Sequence, residues 1–535
     1  MNDLMELDRD SDSDQDSIAT VLQYLIRSGQ VRIIASNSLA SNPRYHEGPY
    51  EDFTCSLLSS PPKVDHQPDT SCLKGSDISQ AILLRSGALN DRPMNSLKGM
   101  SLPSMLKSRE IGMSGRHHFS LGDRCQIMQR VIPNKSDYVE SLNKKVFCGN
   151  FAKDGDVFMS AAQDFCIRLY DTSRGSHFKL KRKIEARDCG WSILDTAVSP
   201  NGRSLIYCTW SECIHMCNIS DDEEIHHEAL PLYPDERRFC IFSLRFSQDG
   251  SEILGGANDQ YLYVYNREQN KRTLRIYSHE DDVNTVAFAD NTSEILFSGG
   301  DDGICKVWDR RTLCESSPVP VGIFAGHEDG ITYVDSKGDG RHLITNSKDQ
   351  TIKLWDMRAF SPSSSVENAY KAVKSHNWDY RWQRVPSSLN RPKRKISGDT
   401  SLMTYRGHSV RQTLIRCRFS PETTTGQSYI YTGCGQGRVV VYDVLTGKIK
   451  ATLKGHKGCV RDVSWHPYRN EIVSSSWDGT IVRWTFNKTE IDSDSEEGAI
   501  IDGSTAESSE SSSGLRRSQR LAEQRRKQSR ENEVC

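Results

Sequence analysis

The side chains of this chain that could carry out acid–base or nucleophilic chemistry recur in sets of histidine, serine, aspartate and tryptophan. The two fullest sets are His327, Ser347, Asp349 and Trp355, and His456, Ser475, Asp478 and Trp484. Serine, histidine and aspartate are the residue types of a hydrolytic triad. Both sets stand at the same places of a repeated pattern, however, and their polar groups can hydrogen-bond to one another within one repeat. We therefore interpret them as a structural relay that fixes the geometry of the repeat, and we expect no catalytic residue among them.

Other patterns that carry chemistry are weak or missing in this sequence. Cys213, His215 and Cys217 lie on one predicted strand, where they are poorly placed for tetrahedral zinc, so we expect no metal site. The glycine-rich run 433–437 is not followed by a predicted helix, which argues against phosphate binding. The sequence has no Walker loop, Gly-x-Ser-x-Gly elbow or His-Glu-x-x-His motif. These observations predict a protein that is not an enzyme and that uses no cofactor.

Two arginines stand out because the repeat itself does not require them. They occur in Trp308-Asp309-x-Arg311 and Trp355-Asp356-x-Arg358, at the ends of consecutive repeats. A guanidinium group can make charge-assisted, bidentate contacts with acidic or carbonyl groups of a partner. The pair therefore suggests a charged docking surface. The alternative is that each arginine forms a surface ion pair within its own repeat, for instance with Asp309 or Asp356.

The elements that position these residues follow from a repeat of about 40 to 48 residues, the length of a four-stranded propeller blade. Each repeat alternates apolar and polar residues between Gly, Asn and Asp turns, which is the pattern of strands and hairpins. The positions equivalent to the aspartate of Trp-Asp are Asp171, Asn218, Asn266, Asp309, Asp356, Asp443 and Thr485. The sequence thus predicts an all-β protein, a seven-bladed β-propeller over residues 121–486, with an insertion at 359–404 between blades five and six.

A propeller ring is usually closed by a strand that precedes the first repeat. The segment Arg124–Ile132 is our candidate for the outer strand of the last blade. Such a strand would cover sheet edges that otherwise promote aggregation.

The segments outside the propeller differ from it in composition. Residues 1–16 are acidic and predicted to be disordered, residues 36–120 to be a linker of low order, and residues 487–535 to be a disordered tail, first acidic and then basic. Segment 17–35 contains a predicted amphipathic helix whose apolar positions are Val21, Leu22, Leu25 and Ile26. A single short helix is marginal in water. It would pack either on the propeller or in a groove of a partner protein.

The insertion combines aromatic and basic residues. Trp378, Tyr380, Arg381 and Trp382 could contact a partner, or they could anchor the loop to the propeller, and we favour anchoring. The run 391–395 that follows resembles a short nuclear-import signal. We expect the protein in the nucleus and the cytoplasm on this basis.

The overall charge gives no preference for nucleic acid or anionic membrane, since 69 basic residues face 71 acidic ones. No stretch has the length and hydrophobicity of a membrane span, and the acidic N-terminus does not resemble a secretory signal. The scattered cysteines fit buried positions in a reducing compartment. We expect neither a membrane nor a nucleic acid as partner.

The repeats resemble those of WD40 proteins, and the consecutive Trp-Asp-x-Arg endings resemble the double motif of WD-repeat substrate receptors of cullin-4 RING ubiquitin ligases. The whole chain resembles the plant LEC-type WD-repeat proteins. This resemblance implies that Trp308, Asp309, Arg311, Trp355, Asp356 and Arg358 bind the damaged-DNA-binding adaptor, which connects a receptor to cullin and the RING subunit. The helix around Val21–Ile26 would insert into the adaptor, and an unknown target would bind at the opposite rim of the propeller or at the insertion after blade five. The alternatives are a scaffold for a nuclear protein or RNA–protein assembly, and an enzyme with a site in the propeller channel.

Overall fold

The computed structural model describes residue 64 and residues 67–87, 102–112, 118–175, 177–219, 224–232, 239–376, 378–390 and 395–488. The described residues up to Asn487 belong to one compact unit, and Lys488 belongs to a second unit whose other residues lie outside these ranges. No helix within these ranges is both long and apolar enough to cross a membrane. The predicted N-terminal helix with Val21, Leu22, Leu25 and Ile26 lies outside the described residues, as do residues 1–16 and the tail beyond 488.

Seven four-stranded antiparallel sheets form the described part of the fold, which confirms the predicted seven-bladed propeller. Blades one and two contain β2 (Val146–Phe151), β3 (Val157–Ala162), β4 (Cys166–Asp171), β5 (Lys179–Glu185), β6 (Asp195–Val198), β7 (Ser204–Cys208), β8 (Cys213–Asn218) and β9 (His227–Pro231). Blades three and four contain β10 (Ile241–Phe246), β11 (Glu252–Ala257), β12 (Tyr261–Asn266), β13 (Lys271–Tyr277), β14 (Val283–Phe288), β15 (Ile295–Gly300), β16 (Ile304–Asp309) and β17 (Gly322–Ala325). Blades five and six contain β18 (Ile331–Ser336), β19 (His342–Ser347), β20 (Thr351–Asp356), β21 (Met403–Arg406), β22 (Cys417–Phe419), β23 (Tyr429–Gly433), β24 (Arg438–Asp443) and β25 (Ile449–Lys454). Blade seven contains β26 (Val460–Trp465), β27 (Ile472–Ser476), β28 (Thr480–Thr485) and, as its outer strand, β1 (Lys135–Ser141).

The ring is closed by a strand from before the first repeat, but the predicted segment was wrong. Strand β1 pairs antiparallel with β28, with Lys135 opposite Thr485. Most of segment 124–132 instead lies in or directly after a helix, α3 (Leu121–Met128). That helix begins where it does because Ser120 and Asp123 form a capping box, each side chain accepting the other's backbone N–H. The closing strand covers the edge of β28, as expected for a propeller.

The connections alternate between two ends of the propeller because the strands of each sheet are antiparallel and, apart from β1 in blade seven, follow the chain order. Connections from the first to the second strand and from the third to the fourth lie at one end. Arg311 and Arg358 follow the third strands of blades four and five, so we call this the arginine end. Connections from the second to the third strand, and from one blade to the next, lie at the other end, which we call the cavity end.

The insertion lies inside blade five and not between blades five and six. Strand β21 (Met403–Arg406) follows it and pairs with β20 as the fourth strand of that blade, so it also takes the last two residues of the predicted insertion 359–404. The sequence pattern of three strands per repeat could not place this short fourth strand. The insertion leaves the arginine end after β20, and α4 (Ser364–Ser375) packs Ala369 against Ile304 and Ala325 of blade four. The chain later returns to begin β21.

Helices occupy part of the segment 36–120 that was predicted to be a linker of low order. They are α1 (Asp77–Arg85) and α2 (Leu102–Ile111). Helix α1 buries Ile78 and Ile82 in the same apolar cluster as Tyr442 of blade six, so tertiary contact stabilises a helix too short to form alone. A four-residue helix, α5 (Glu422–Thr425), lies in blade six.

Candidate docking surface and the opposite cavity

Arg311 lies exposed at the arginine end, and its guanidinium is bound by a carboxylate of its own repeat. Its Nε and Nη2 atoms donate to the two carboxylate oxygens of Asp309, at 2.9 and 2.7 Å. The side chain is nevertheless 66% exposed, so its remaining donors face solvent. The hydrogen bond and charge of Asp309 raise the pKa of the Arg311 guanidinium and keep it charged. The within-blade ion pair therefore exists and orients the arginine without removing it from the surface.

The guanidinium of Arg358 binds a carboxylate that lies outside its own repeat. Its backbone N–H donates to Asp356, but its guanidinium contacts Asp77 at the start of α1, with 3.0 Å between Nη1 and Oδ2. The carboxylate of Asp356 is instead bound by Arg341, through Nε at 2.8 Å and Nη2 at 2.6 Å. Arg341 also contacts Asp77. The Arg358 side chain stays 69% exposed, so a second cation faces solvent at the same end of the propeller.

The two tryptophans of the paired motifs lie in the interior. Trp308 is 1% exposed and Trp355 is fully buried, so neither can contact an adaptor, and we correct their predicted adaptor-binding role to a structural one. The Trp355 indole N–H donates to Thr345 at 2.8 Å, and His327 contacts the same hydroxyl at 2.6 Å and Asp349 at 2.9 Å. The relay of blade five thus uses Thr345 and not the predicted Ser347, which donates to the carbonyl of Asp329.

The relay hydroxyl of blade seven also differs from the predicted one, by one position where blade five differs by two. Trp484 donates to Ser474 at 2.7 Å, and His456 contacts Ser474 at 2.7 Å and Asp478 at 3.2 Å. The predicted Ser475 points to the opposite face of β27, since side chains alternate along a strand. The Ser475 hydroxyl is buried and has no hydrogen-bond partner within the described ranges.

A third complete relay in blade four was missed from the sequence. It joins His279 to Ser298 at 2.7 Å and to Asp302 at 2.9 Å, and Trp308 donates to the same Ser298 at 2.9 Å. The signal that could have found it is His279 standing 23 residues before Asp302, close to the 22-residue separations in blades five and seven. Every member of the three relays contacts another member, as expected of groups that fix the geometry of a blade.

The central channel contains an ion network that the sequence did not indicate. Arg416 of blade six bridges Asp195 of blade two and Asp462 of blade seven, at 2.7 and 3.0 Å. Burial opposes ionisation of Asp195, but Arg416 and Arg245 outweigh it and lower the pKa of this carboxyl to about 2. The network joins blades that are distant in sequence, and its carboxylates are held ionised and paired.

The insertion is anchored by its aromatic residues, as favoured from the sequence. The Trp378 indole N–H donates to Asp329 at 2.7 Å, and the Lys348 ammonium lies 4.2 Å from the centre of the Tyr380 ring. The Tyr380 carbonyl accepts the backbone N–H of Gln412 at 2.8 Å. Trp382, by contrast, is 52% exposed. The insertion therefore fixes one aromatic residue at the cavity end while leaving it open to solvent.

A cavity of about 740 Å³ lies at the cavity end. The cavity is lined by residues of the blade-to-blade connections, of the second-to-third-strand connections and of the insertion. Its aromatic lining comprises Phe147, Trp191, Trp210, Phe242, Tyr380, Trp382 and Trp477. Its charged lining comprises Lys145, Asp282, Asp301, Arg381, Arg411, Lys457, Arg461 and Asp478. Within the described ranges no cluster of His, Cys, Asp and Glu is suited to hold a metal ion.

The comparisons with known proteins agree with the architecture. A family model described as WD domain, G-beta repeat matches residues 270–309, 318–356 and 447–485. The chain is 43% identical over 374 residues to the DDB1- and CUL4-associated factor 11 homolog of Caenorhabditis elegans, and the aligned part is 68% of this chain. The same part covers 65% of the nematode protein, less than two thirds of its length.

Plant relatives are aligned over more of their length. The chain is 41% identical over 406 residues to the LEC14B homolog of Prunus armeniaca, which covers 74% of this chain and 84% of that protein. It is 40% identical over 449 residues to the LEC14B protein of Lithospermum erythrorhizon, which covers 81% of this chain and 91% of that protein.

Proposed function

Because the chain belongs to the WD-repeat family that includes the LEC14B proteins and the homologs of DDB1- and CUL4-associated factor 11, we propose that it is a substrate receptor of a cullin-4 RING ubiquitin ligase. In this proposal the chain docks on the DDB1 adaptor and through it reaches cullin and the RING subunit. It brings a target protein close to the ubiquitin carrier and performs no chemistry itself. Its contribution to the rate is the raised local concentration of target lysines.

The observation that carries the proposal is the pair of exposed guanidinium groups at one end of adjacent blades. Arg311 and Arg358 are 66% and 69% exposed although each has a carboxylate partner. Asp309 and Asp77 hold the two side chains in place and leave N–H groups directed to solvent. An oriented guanidinium loses less conformational entropy on binding than a mobile one, and it can donate to carbonyl or carboxylate groups of an adaptor.

Asp309 and Asp356 contribute to this surface indirectly. Asp309 orients Arg311, and Asp356 accepts the backbone N–H of Arg358 while it binds Arg341. The buried Trp308 and Trp355 fix the strands from which the two loops leave. The predicted helix around Val21–Ile26 would add a second contact with the adaptor, and this part of the proposal falls outside the described residues.

The position of the docking surface leaves the other end of the propeller open to a target. The cavity and the exposed Trp382 lie at that opposite end. A receptor that docks by one end and binds its target by the other holds both partners at once on a rigid body. We propose that the protein acts in the nucleus and the cytoplasm, since the basic residues of the insertion, 391–395, resemble an import signal.

The proposal is tested by affinity purification and mass spectrometry from the source cells. The wild-type chain is compared with Arg311→Ala/Arg358→Ala, and with Arg174→Ala/Lys448→Ala as a matched control. Arg174 and Lys448 are exposed residues of the third-to-fourth-strand connections of blades one and six, so the control removes the same charge from the same end. We expect DDB1 and cullin-4 peptides with the wild type and the control and their loss with the arginine variant.

Two outcomes contradict the proposal. If ligase subunits are absent from the wild-type sample, the chain is not a receptor of this ligase. If they persist undiminished in the arginine variant, the paired arginines are not the docking surface, and retained assembly with other proteins would favour the scaffold alternative. Circular dichroism of the purified variants excludes a folding defect.

A further inference from the structure

We propose that the cavity at the end opposite the arginines binds an acidic peptide segment of a target protein. An aromatic or aliphatic side chain of the peptide would lie among the cavity's aromatic rings, and a neighbouring carboxylate would contact its basic side chains. The inference rests on the proposed function only in identifying the bound protein as a ubiquitination target. The binding itself is independent of any ligase subunit.

The apolar part of the cavity is a continuous run of five rings from four blades. Phe147 packs edge-to-face on Trp191, with ring centres 5.3 Å apart, and Trp191 packs on Trp210 at 6.0 Å. The run continues to Phe242 at 6.3 Å and, on the other side of Phe147, to Trp477 at 5.5 Å. Only Phe147 is fully buried, and the other four rings keep part of their surface exposed to the cavity. Partly exposed clusters of large rings mark binding sites in soluble proteins.

The size of the cavity fits a few side chains and not a whole domain surface. Its volume of about 740 Å³ lies within the range of ligand pockets, roughly 300–1,000 Å³. Trp382 of the insertion stands 52% exposed at this cavity, held by the neighbouring Tyr380. A peptide that entered the cavity could therefore contact both the ring cluster and the insertion.

Three of the five cations that line the cavity have no carboxylate ion-pair partner among the described residues. Within the described ranges no ion pair engages Lys145, Lys457 or Arg461. The Lys145 ammonium lies 4.1 Å from the centre of the Trp477 ring, and the Arg461 guanidinium donates to the Thr413 hydroxyl at 3.2 Å and the Leu194 carbonyl at 3.1 Å. Burial lowers the pKa of Lys145, because it disfavours the charged ammonium and no carboxylate within the described ranges is ion-paired with it. An incoming carboxylate would supply the missing compensation.

The carboxylates of the cavity do not compensate the charge of these cations, because each carboxylate is otherwise engaged or neutral. Asp301 accepts from the Lys348 ammonium at 2.7 Å, and Asp478 accepts from His456 and from Thr480. Burial and the nearby Asp301 raise the pKa of Asp282 to about 8, so this group is mostly protonated at neutral pH. The cavity therefore presents net positive charge beside its aromatic rings.

These same carboxylates favour a peptide over a nucleic acid. A nucleic-acid strand carries a phosphate on every nucleotide and is bound along a continuous basic groove. Asp301 and Asp478 interrupt the basic lining of this cavity, and its aromatic rings pack against one another where stacking with successive bases would need separated faces. A peptide that carries one or two carboxylates among apolar residues matches the lining of this cavity better than a nucleic-acid strand does.

The test selects dodecapeptides from a random display library on the immobilised full chain. Enriched peptides are synthesised with a fluorescein label, and their affinity is measured by fluorescence polarisation. We expect enrichment of peptides in which Asp or Glu neighbours Phe, Trp, Leu or Ile. We expect about tenfold weaker binding by Lys145→Gln/Lys457→Gln and by Trp382→Ala. The matched control Lys450→Gln/Lys454→Gln changes two exposed lysines of the outer strand β25 and should bind like the wild type.

The outcomes separate this inference from the proposed function. Failure to enrich any peptide, enrichment of basic or uncharged peptides, or equal binding by the cavity variants and the control would overturn it. Competition by a labelled twelve-nucleotide uridine RNA that binds more tightly than the peptides would identify a nucleic-acid site instead. The Arg311→Ala/Arg358→Ala variant should bind the selected peptides normally, and the cavity variants should bind DDB1 as the wild type does, so either proposal can fail alone.

Discussion

Two adjacent serines of blade seven provide a matched test of the relay. Ser474 and Ser475 are both fully buried on β27, but only Ser474 accepts the Trp484 indole N–H, at 2.7 Å, and contacts His456, also at 2.7 Å. Changing Ser474 to Ala leaves two buried groups without a partner. Each such loss costs about 1–3 kcal/mol, so we expect destabilisation of about 2–6 kcal/mol.

The same structure predicts almost no effect for Ser475→Ala, since this hydroxyl has no hydrogen-bond partner within the described residues. The usual unfolding entropy is about 2.1 cal/mol/K per residue. For a propeller of about 350 residues, a loss of 1 kcal/mol in the free energy of unfolding therefore lowers the Tm by about 1.4 °C. Ser474→Ala should therefore lower the Tm by about 3–8 °C, and Ser475→Ala should leave it unchanged or slightly higher. Differential scanning calorimetry of the full chain measures both. Equal losses, or a larger loss for Ser475→Ala, would refute the assignment of the relay hydroxyl.

Three further predictions concern other buried or paired charges. Burial raises the pKa of the Asp282 carboxyl from its ordinary 3.8 to about 8. Its favourable contribution to the free energy of unfolding is therefore complete below about pH 4 and is lost as the pH rises to about 8. Asp282→Asn should match the wild-type Tm at about pH 4 and exceed it at about pH 9 in a thermal-shift series. Arg416→Met leaves two carboxylates buried without this partner and should cost about 3–5 kcal/mol in chemical denaturation, whereas exposed Arg174→Met should cost almost nothing. Asp77→Asn removes the contacts from α1 to Arg341 and Arg358, and hydrogen–deuterium exchange should speed up within residues 67–87 but not in β19 or β20.

The propeller could be predicted from the sequence because its signals are local and repeated. The turn aspartates and the strand endings with an aromatic residue before Asp or Asn recur in most blades, and the alternating strands recur in all of them, so errors in one repeat are corrected by the others. The strands that were misplaced lack these signals. Strand β1 (Lys135–Ser141) is mostly polar, and β21 (Met403–Arg406) is four residues long and ends without Trp-Asp.

The site could be predicted only where one repeat determines it. The exposure of Arg311 follows from its place after a third strand, but the Asp77 partner of Arg358 is 281 residues away in sequence. Neighbouring hydroxyls such as Ser474 and Ser475 differ only in the face of the strand they occupy, which depends on a register that the sequence leaves open. The rings of the cavity come from four blades, so no single repeat reveals that they meet.

The measurement that tests the central proposal most directly is the affinity of the purified full chain for purified DDB1, determined by biolayer interferometry. We expect saturable binding by the wild type and by Arg174→Ala/Lys448→Ala, and at least tenfold weaker binding by Arg311→Ala/Arg358→Ala. Equal affinities for all three chains, or no binding by the wild type, would contradict it.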